Sequence, residues 1–454
     1  MIYRKITEKL DKWRLSSRRK PLILRGARQV GKTTTVHEFS KKYAQYIYVN
    51  LERDEFFAIF NENHSLDIIV EKLFFKTKQD PRNNDTLLFI DEIQVSPKAI
   101  NLLRYFYEDY PQYHVIAAGS LLETILEEKV TIPVGRVSYM VMRPICFEEY
   151  LHTKNHPNLL EQYLKLPYDA FAFDILQRYF HEYAQVGGMP EVLNHYVENQ
   201  TLFGINDIYQ EIVTSYINDV DKYARNATMV QVLRYAIEHI GVEAGKRIKF
   251  QNFANSNYRS REVGESLKML ERSLLIHLIY PTVSSSIPIF SDTKKSPRLQ
   301  MLDTGLMSFS AGITGELIGV KNLSDVYKGR ILEHIVGQEL LAQKFEPLDK
   351  LHFWTSEKVG SEAEIDFIIQ RGFDVIPIEV KSGASGHLKS LMNFMDTVNH
   401  HWAVRLWGKQ LDIHKAKTTK GKEFTLLNLP YFLAGRLEQY IDWFMQNYPQ
   451  DSQN

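Results

Sequence analysis

The chain is poor in cysteine. Cys146 is the only one in 454 residues, which excludes an internal disulfide and a cysteine-built zinc site. No apolar run approaches the roughly 20 residues that a membrane-spanning helix needs. The first residues, Met1 to Lys9, carry charges where a secretory signal would have its apolar stretch. The expectation is a cytoplasmic protein with no membrane partner. Net charge is also missing: 55 Lys and Arg balance 55 Asp and Glu, so no global field favours nucleic acid and any basic surface must be local. Repeats and long low-complexity tracts are absent. What remains is an ordinary globular composition, 44% apolar and 12% aromatic, at a length that suits roughly two to four domains.

Against that background one stretch stands out, Gly26-Ala27-Arg28-Gln29-Val30-Gly31-Lys32-Thr33, followed by Thr34. It fits G-x-x-x-x-G-K-[ST]. A short apolar run, Leu22 to Leu24, precedes it, and a segment with helical spacing, Val36, Phe39 and Tyr43, follows. Strand, glycine loop and helix N-terminus together form a cradle for phosphate groups. Lys32 is placed to reach the β- and γ-phosphates, and the Thr33 hydroxyl to hold Mg²⁺.

Leu87-Leu88-Phe89-Ile90-Asp91-Glu92 reads as a strand buried on both faces of a parallel sheet. Its two acids stand at the C-terminal end, where open α/β sheets keep their ligands. Asp91 suits the Mg²⁺ shell. Glu92 suits the orientation or deprotonation of an attacking water. A further strand, His114 to Ala118, leads to Ser120, which is placed either to sense the γ-phosphate or simply to cap the next helix. Arg136, in the loop before the strand Val137–Met142, could stabilise γ-phosphate charge in its own chain or in a neighbouring subunit of a homo-oligomer. A solvated or carboxylate-paired arginine is the plain alternative.

From about residue 147 the pattern turns helical. Gly187-Gly188-Met189-Pro190 interrupts it, as a lid segment over the nucleotide or as an ordinary helix corner. Residues 246–281 give a short helix, a polar turn, a second helix carrying Val263, Leu267, Leu270 and Leu274, and a strand around Leu278–Tyr280. That order resembles a winged helix-turn-helix. Between 245 and 300 there are ten Lys or Arg against four Asp or Glu, with Lys246, Arg247, Lys249, Arg259 and Arg261 near the helix starts. DNA is the candidate partner, and a solvated or packing face is the alternative.

Beyond 325 the order is helix, strand, strand, strand. Glu333 lies on the helix, Asp366 on the second strand, and Glu379 and Lys381 on the third. Because side chains alternate along a strand, Glu379 and Lys381 share a face, and Asp366 can join them across the hairpin. Hard carboxylate oxygens on Asp366 and Glu379 suit Mg²⁺ or Mn²⁺. Lys381 could position a water, and Glu333 could support the metal shell, as metal-assisted phosphodiester hydrolysis requires. The alternative is a set of strand residues paired among themselves.

The phosphate loop with Phe89-Ile90-Asp91-Glu92, Gly119-Ser120 and Gly135-Arg136 resembles the prokaryotic AAA+ ATPases grouped near the archaeal-type and signal-transducing P-loop NTPases. Asp303-Thr304-Gly305-Leu306, Glu364-Ile365-Asp366-Phe367 and Ile378-Glu379-Val380-Lys381-Ser382-Gly383 resemble the C-terminal domain that accompanies them, which contains a PD-(D/E)XK nuclease-type fold. Ile365 stands in place of the proline. The resemblance implies ATP rather than GTP, Mg²⁺, and the roles given above for Lys32, Thr33, Asp91 and Glu92. It also implies a multidomain α/β protein: a P-loop AAA+ parallel sheet (1–145), a helical lid (146–204), a helical and winged-helix region (205–300), and a restriction-endonuclease-like α/β domain (301–454).

Overall fold

A computed structural model describes residues 2–62, 64–119, 135–154, 156–222, 224–314, 329–357, 362–381 and 388–450. The N-terminal part is built on β1 (Leu22–Arg25), β2 (Gln45–Asn50), β3 (Thr86–Asp91), β4 (His114–Gly119) and β5 (Ser138–Val141). These strands form a parallel sheet in the order β2-β3-β4-β1-β5. Alternation along each strand divides the apolar side chains between two cores. Leu24, Leu87, Phe89 and Ile116 face one, while Ile23, Leu88, Ile90 and Val115 face the other. A sheet covered on both faces explains why β3 is apolar at consecutive positions.

Helices Phe147–His152, Pro157–Leu164, Phe173–Val186, Pro190–Asn199 and Ile205–Asp219 follow the sheet. The Phe173–Val186 helix buries Leu176, Phe180, Tyr183 and Ala184, spaced at helical intervals along one face. Its Tyr183 hydroxyl donates to Glu339 Oε1 at 2.9 Å, and the backbone N–H of Phe147 donates to the same oxygen at 3.0 Å. Glu339 belongs to the far C-terminal region, so the helical segment is tied directly to it.

Next come the helix Ala227–Glu243, a single 3₁₀ turn at Phe253–Asn255, the helix Ser260–Arg272, and β6 (Ile276–Ile279). The short strand β7 (Pro281–Thr282) precedes β8 (Arg298–Met301), which pairs antiparallel with β6. Arg247 adds a bridge to Arg298. The helix Thr304–Ser310 follows, capped by Asp303, and then the helix Arg330–Ala342.

The last sheet has seven mixed strands. Besides β7 it contains β9 (His352–Thr355), β10 (Glu364–Arg371), β11 (Asp374–Val380), β12 (Trp402–Trp407), β13 (Asp412–Lys417) and β14 (Glu423–Pro430). Their order is β13-β14-β12-β11-β10-β9-β7. The edge strand β7 comes from the connection between β6 and β8 and pairs parallel with β9. The C-terminal sheet therefore draws on residues before 301.

Candidate nucleotide site and C-terminal carboxylate cluster

The phosphate loop joins the end of β1 to the helix Lys32–Ser40. Gly31 has φ +93°, and a Cβ on Gly26 would stand 2.7 Å from the carbonyl oxygen of Met142, so both glycines are required by the path of the chain. Ala27 and Val30 are buried in the core, which leaves only their backbone for a ligand. Lys32 Nζ folds back onto the carbonyl oxygens of Gly26 and Ala27, each at 2.9 Å. Thr33 Oγ1 donates to Asp91 Oδ2 at 2.8 Å, so the hydroxyl and carboxylate suited to one Mg²⁺ already meet. Glu92 adopts φ +52°, in the left-handed region, where a non-glycine residue is strained. Burial pushes its carboxyl group up, and Gln94 Nε2 donates to Oε2.

Arg28 pairs with Asp219, and its carbonyl accepts from Tyr216 at 2.9 Å. The loop is thereby fastened to the helix Ile205–Asp219. Thr34 lines a neighbouring cavity of about 460 Å³ together with Ile2, Tyr3, Gly31, Pro190 and Asn194. Arg4 Nη1 donates to the Val30 carbonyl at 2.8 Å. Gly187 to Pro190 is thus a corner between two helices that also forms a wall beside the phosphate loop. The backbone of Gly188 holds it there by two hydrogen bonds, accepting from Ile145 N at 2.8 Å and donating to Asp303 Oδ2 at 2.6 Å. The contributions of Tyr3 and Arg4 have no local sequence signal, because they depend on where the first helix docks.

Burial pulls the Lys32 ammonium down to about 8, and the charges of Glu92 and Asp91 offset only part of that. A bound phosphate group raises it again, so above that pH binding must take up a proton. Affinity for a nucleoside triphosphate should be flat below about pH 8 and weaken by about tenfold per pH unit above it, until the nucleotide-bound lysine itself titrates. Calorimetric titrations across that range measure the slope; a flat profile would detach Lys32 from the phosphates.

Two expectations about the γ-phosphate fare differently. Ser120 lies outside the described residues. Arg136 is misplaced for a role in its own chain. The parallel register sets Ser138 beside Leu22, so Arg136 lies at the N-terminal end of the sheet, while the phosphate loop leaves its C-terminal end. There Arg136 pairs with Glu108.

In the C-terminal sheet Phe367 pairs with Ile378 in an antiparallel ladder, which sets Asp366 opposite Glu379. Asp366 Oδ2 accepts from Val380 N at 2.8 Å, and Lys381 Nζ pairs with Glu379 Oε1. Glu333 joins them from the helix Arg330–Ala342. The four residues do converge, but around a fifth that the sequence reading missed. Arg298, on β8, places its guanidinium 3.3 Å from Glu333 Oε2 and 3.5 Å from Asp366 Oδ1, and also pairs with Glu364. Its face lies 4.9 Å from the centroid of the Phe353 ring. Burial and neighbouring carboxylates push the Glu333 and Glu379 carboxyl groups up.

A divalent ion does not fit these side chains as they stand. A guanidinium occupies the space among three of the carboxylates. Among the described residues no group of three or more His, Cys, Asp or Glu side chains is placed to hold a metal ion. In this arrangement Asp366 is engaged by Val380 N and Arg298, and Glu379 by Lys381, rather than by Mg²⁺ or Mn²⁺. The basic stretch 245–300 changes meaning as well. Arg247 and Arg298 both reach Glu364, Lys246 pairs with Glu243, and Arg261 pairs with Glu265. Several of its charges are thus engaged within the chain.

Comparison with known proteins agrees with the N-terminal geometry. Residues 18–151 match the model of an AAA domain, while 177–317 and 328–422 match two domains of unknown function, DUF8612 and DUF4143. An uncharacterized protein of Haemophilus influenzae is 22% identical over 408 residues, covering 85% of this chain and 88% of that protein. Among solved structures the chain is similar to the Walker-type ATPase PABY2304 of Pyrococcus abyssi, with 14% identity, 68% of this chain and 96% of that one covered, and a TM-score of 0.43. It is also similar to the Thermotoga maritima RuvB Holliday junction branch migration motor, at 14% identity, coverage of 61% and 90%, and a TM-score of 0.28. The Aeropyrum pernix ORC1 protein in complex with DNA gives 16% identity, coverage of 69% and 90%, and a TM-score of 0.24. The N-terminal part of the chain, with its phosphate loop, is thus similar to an AAA domain. No helix among the described residues is long and apolar enough to cross a membrane.

Proposed function

We propose that the chain is an Mg²⁺-dependent ATPase whose nucleotide state sets the packing of a C-terminal binding module. The hydrogen bond from Thr33 to Asp91 carries the first half of this reading. It brings together, from the first turn of the helix Lys32–Ser40 and the end of β3, the hydroxyl and the carboxylate that would hold Mg²⁺, which when bound neutralises charge on the phosphates. Backbone N–H groups at the start of the helix Lys32–Ser40 receive phosphate oxygens. Lys32 leaves its carbonyl partners for the β- and γ-phosphates. Glu92 orients the attacking water and takes its proton. The cavity beside Tyr3 and Pro190 holds the base.

The second half rests on the contacts between Gly188, Asp303 and the helix Arg330–Ala342, which connect the wall of that cavity to the C-terminal domain. The order helix, 3₁₀ turn, helix, β6 and β8 supports a winged helix-turn-helix, with exposed Arg259 at the N-cap of the second helix and exposed Arg261, paired with Glu265, in its first turn as candidate contacts to DNA. The mixed sheet with its flanking helix supports a restriction-endonuclease-like frame, and Arg298 among the acids favours binding over cutting.

Glu92→Gln should retain ATP affinity and lose turnover by roughly a hundredfold or more, whereas Lys32→Ala should lose binding itself. Full turnover in the glutamine variant would remove Glu92 from its role. Unchanged nucleotide affinity in the alanine variant would reject the cradle. One observation favours a second reading, a metal-dependent nuclease: Glu379 Oε2 has no hydrogen-bond partner among the described residues. Nicking of plasmid DNA with Mg²⁺ or Mn²⁺, abolished by Asp366→Ala and Lys381→Ala, would establish it. A protein inert towards several DNA and RNA forms, with and without ATP, leaves the binding module.

A further inference from the structure

A second cavity, of about 340 Å³, lies where the three parts of the chain meet. The five-stranded sheet contributes Arg25 and Arg143, the segment 271–280 contributes Arg272 and His277, and the stretch 347–351 contributes Asp349 and Lys350. The third wall is held against the first by a hydrogen bond from Val141 N to the Phe345 carbonyl at 2.8 Å. Four basic residues therefore line one partly open volume, with Glu271 and Asp349 as the acids among its lining residues. Glu271 accepts from the backbone N–H of Leu278 at 2.9 Å, and Asp349 from that of Glu346 at 3.2 Å.

Arg143 is the most informative of these groups. It is 8% exposed, its Nη1 meets only the imidazole Nε2 of His277, and its Nε has no hydrogen-bond partner among the described residues. The His277 ring is neutral, because burial and the neighbouring arginine push its pKa well down. Burial and the charge of Arg25 bring the Arg143 guanidinium down to about 10, far from where an arginine with a good anionic partner sits. This buried guanidinium, next to a second arginine and open to a cavity, has its charge opposed in part by Asp349 and keeps its Nε donor unused for a further anion. Leu274, Ile279, Tyr280 and Leu351 supply apolar wall, and the volume falls within the roughly 300–1,000 Å³ typical of small-molecule sites.

We propose that this junction cavity binds the phosphate group of a small molecule, with Arg143 and Arg25 as the buried anion clamp and Lys350 at the rim. Arg25 immediately precedes Gly26 of the phosphate loop, so an occupant would sit one residue behind the nucleotide site and bridge all three parts of the chain. The proposal does not depend on ATP hydrolysis, and its test keeps the two sites apart. Full-length Lys32→Ala protein, with the phosphate loop disabled, is titrated calorimetrically with inorganic phosphate and with AMP. Saturable binding of at least one is expected, weakened at least about tenfold by adding Arg143→Met or, at the solvent edge where folding is not at risk, Lys350→Glu. Equal affinity for the two ligands identifies an orthophosphate site, and tighter AMP binding identifies a phosphomonoester site using the apolar wall. Absence of saturable binding below about 10 mM, or affinity unchanged by both substitutions, overturns the proposal.

Discussion

Arg298→Ala should lower the stability of the folded chain by about 3–5 kcal/mol, because it strips the shared cation from a buried carboxylate cluster. Glu333, Glu364 and Asp366 all lean on that guanidinium, and Lys381 is already committed to Glu379. The sign of the pH effect follows from the raised Glu333 and Glu379 groups. An acid whose folded pKa exceeds its unfolded value binds more protons when folded, so its contribution to stability falls as pH rises towards the folded pKa. Removing the cation raises these groups further. The deficit of the variant should therefore be largest in mildly alkaline buffer and shrink towards pH 5. Urea denaturation of wild type and variant at several pH values gives both quantities; equal midpoints throughout would mean that the cluster needs no cation. Adding Mg²⁺ or Mn²⁺ sharpens the comparison. A metal-dependent recovery confined to the variant would revive the nuclease reading, with Arg298 standing in for the ion.

An effect of similar size is expected at Asp303. This carboxylate is fully buried and accepts from Gly188 N at 2.6 Å, Leu306 N at 2.9 Å, Tyr209 Oη at 3.2 Å and Gln338 Nε2 at 3.3 Å. Asp303→Ala strands two backbone donors and a side-chain amide in a dry interior and removes the cap of the helix Thr304–Ser310. Together these losses should cost about 3–5 kcal/mol. Asp303→Asn keeps the shape and one acceptor oxygen and should cost less. Because Gly188 sits two residues before Pro190 at the cavity beside the phosphate loop, ATP affinity should fall in the alanine variant even under conditions where it remains folded. Circular dichroism melts and nucleotide titrations on the same samples separate the two effects, and intact affinity would sever Asp303 from the nucleotide site.

What could be read from sequence was what is local in sequence. Lys32 and Thr33 follow Gly31 at the start of one helix, and Asp91 and Glu92 stand at one strand end, so each motif is a short run of residues. Asp366, Glu379 and Lys381 were found together because a hairpin obeys strict alternation. Arg298 was missed because its partner Asp366 is 68 residues away, and because a lysine- and arginine-rich stretch has the same appearance whether it faces solvent or an acidic interior. The pairing of β1 with β5 decides the fate of Arg136, and the order of strands in a sheet is a property of the whole chain. Tyr3, Arg4 and the Arg143 cavity depend in the same way on how distant segments dock.

The short strand β7 has a consequence for dissecting the protein. It shields the outer edge of β9, while β8 on the same side of residue 301 delivers Arg298. A fragment beginning at 301 would therefore expose the backbone of β9 to any passing strand and leave its acids without their arginine. Such a piece invites self-association for reasons unrelated to its native role, so behaviour seen in it would not transfer to the intact chain. A cut made before the helix Ala227–Glu243 keeps both elements with the sheet they complete.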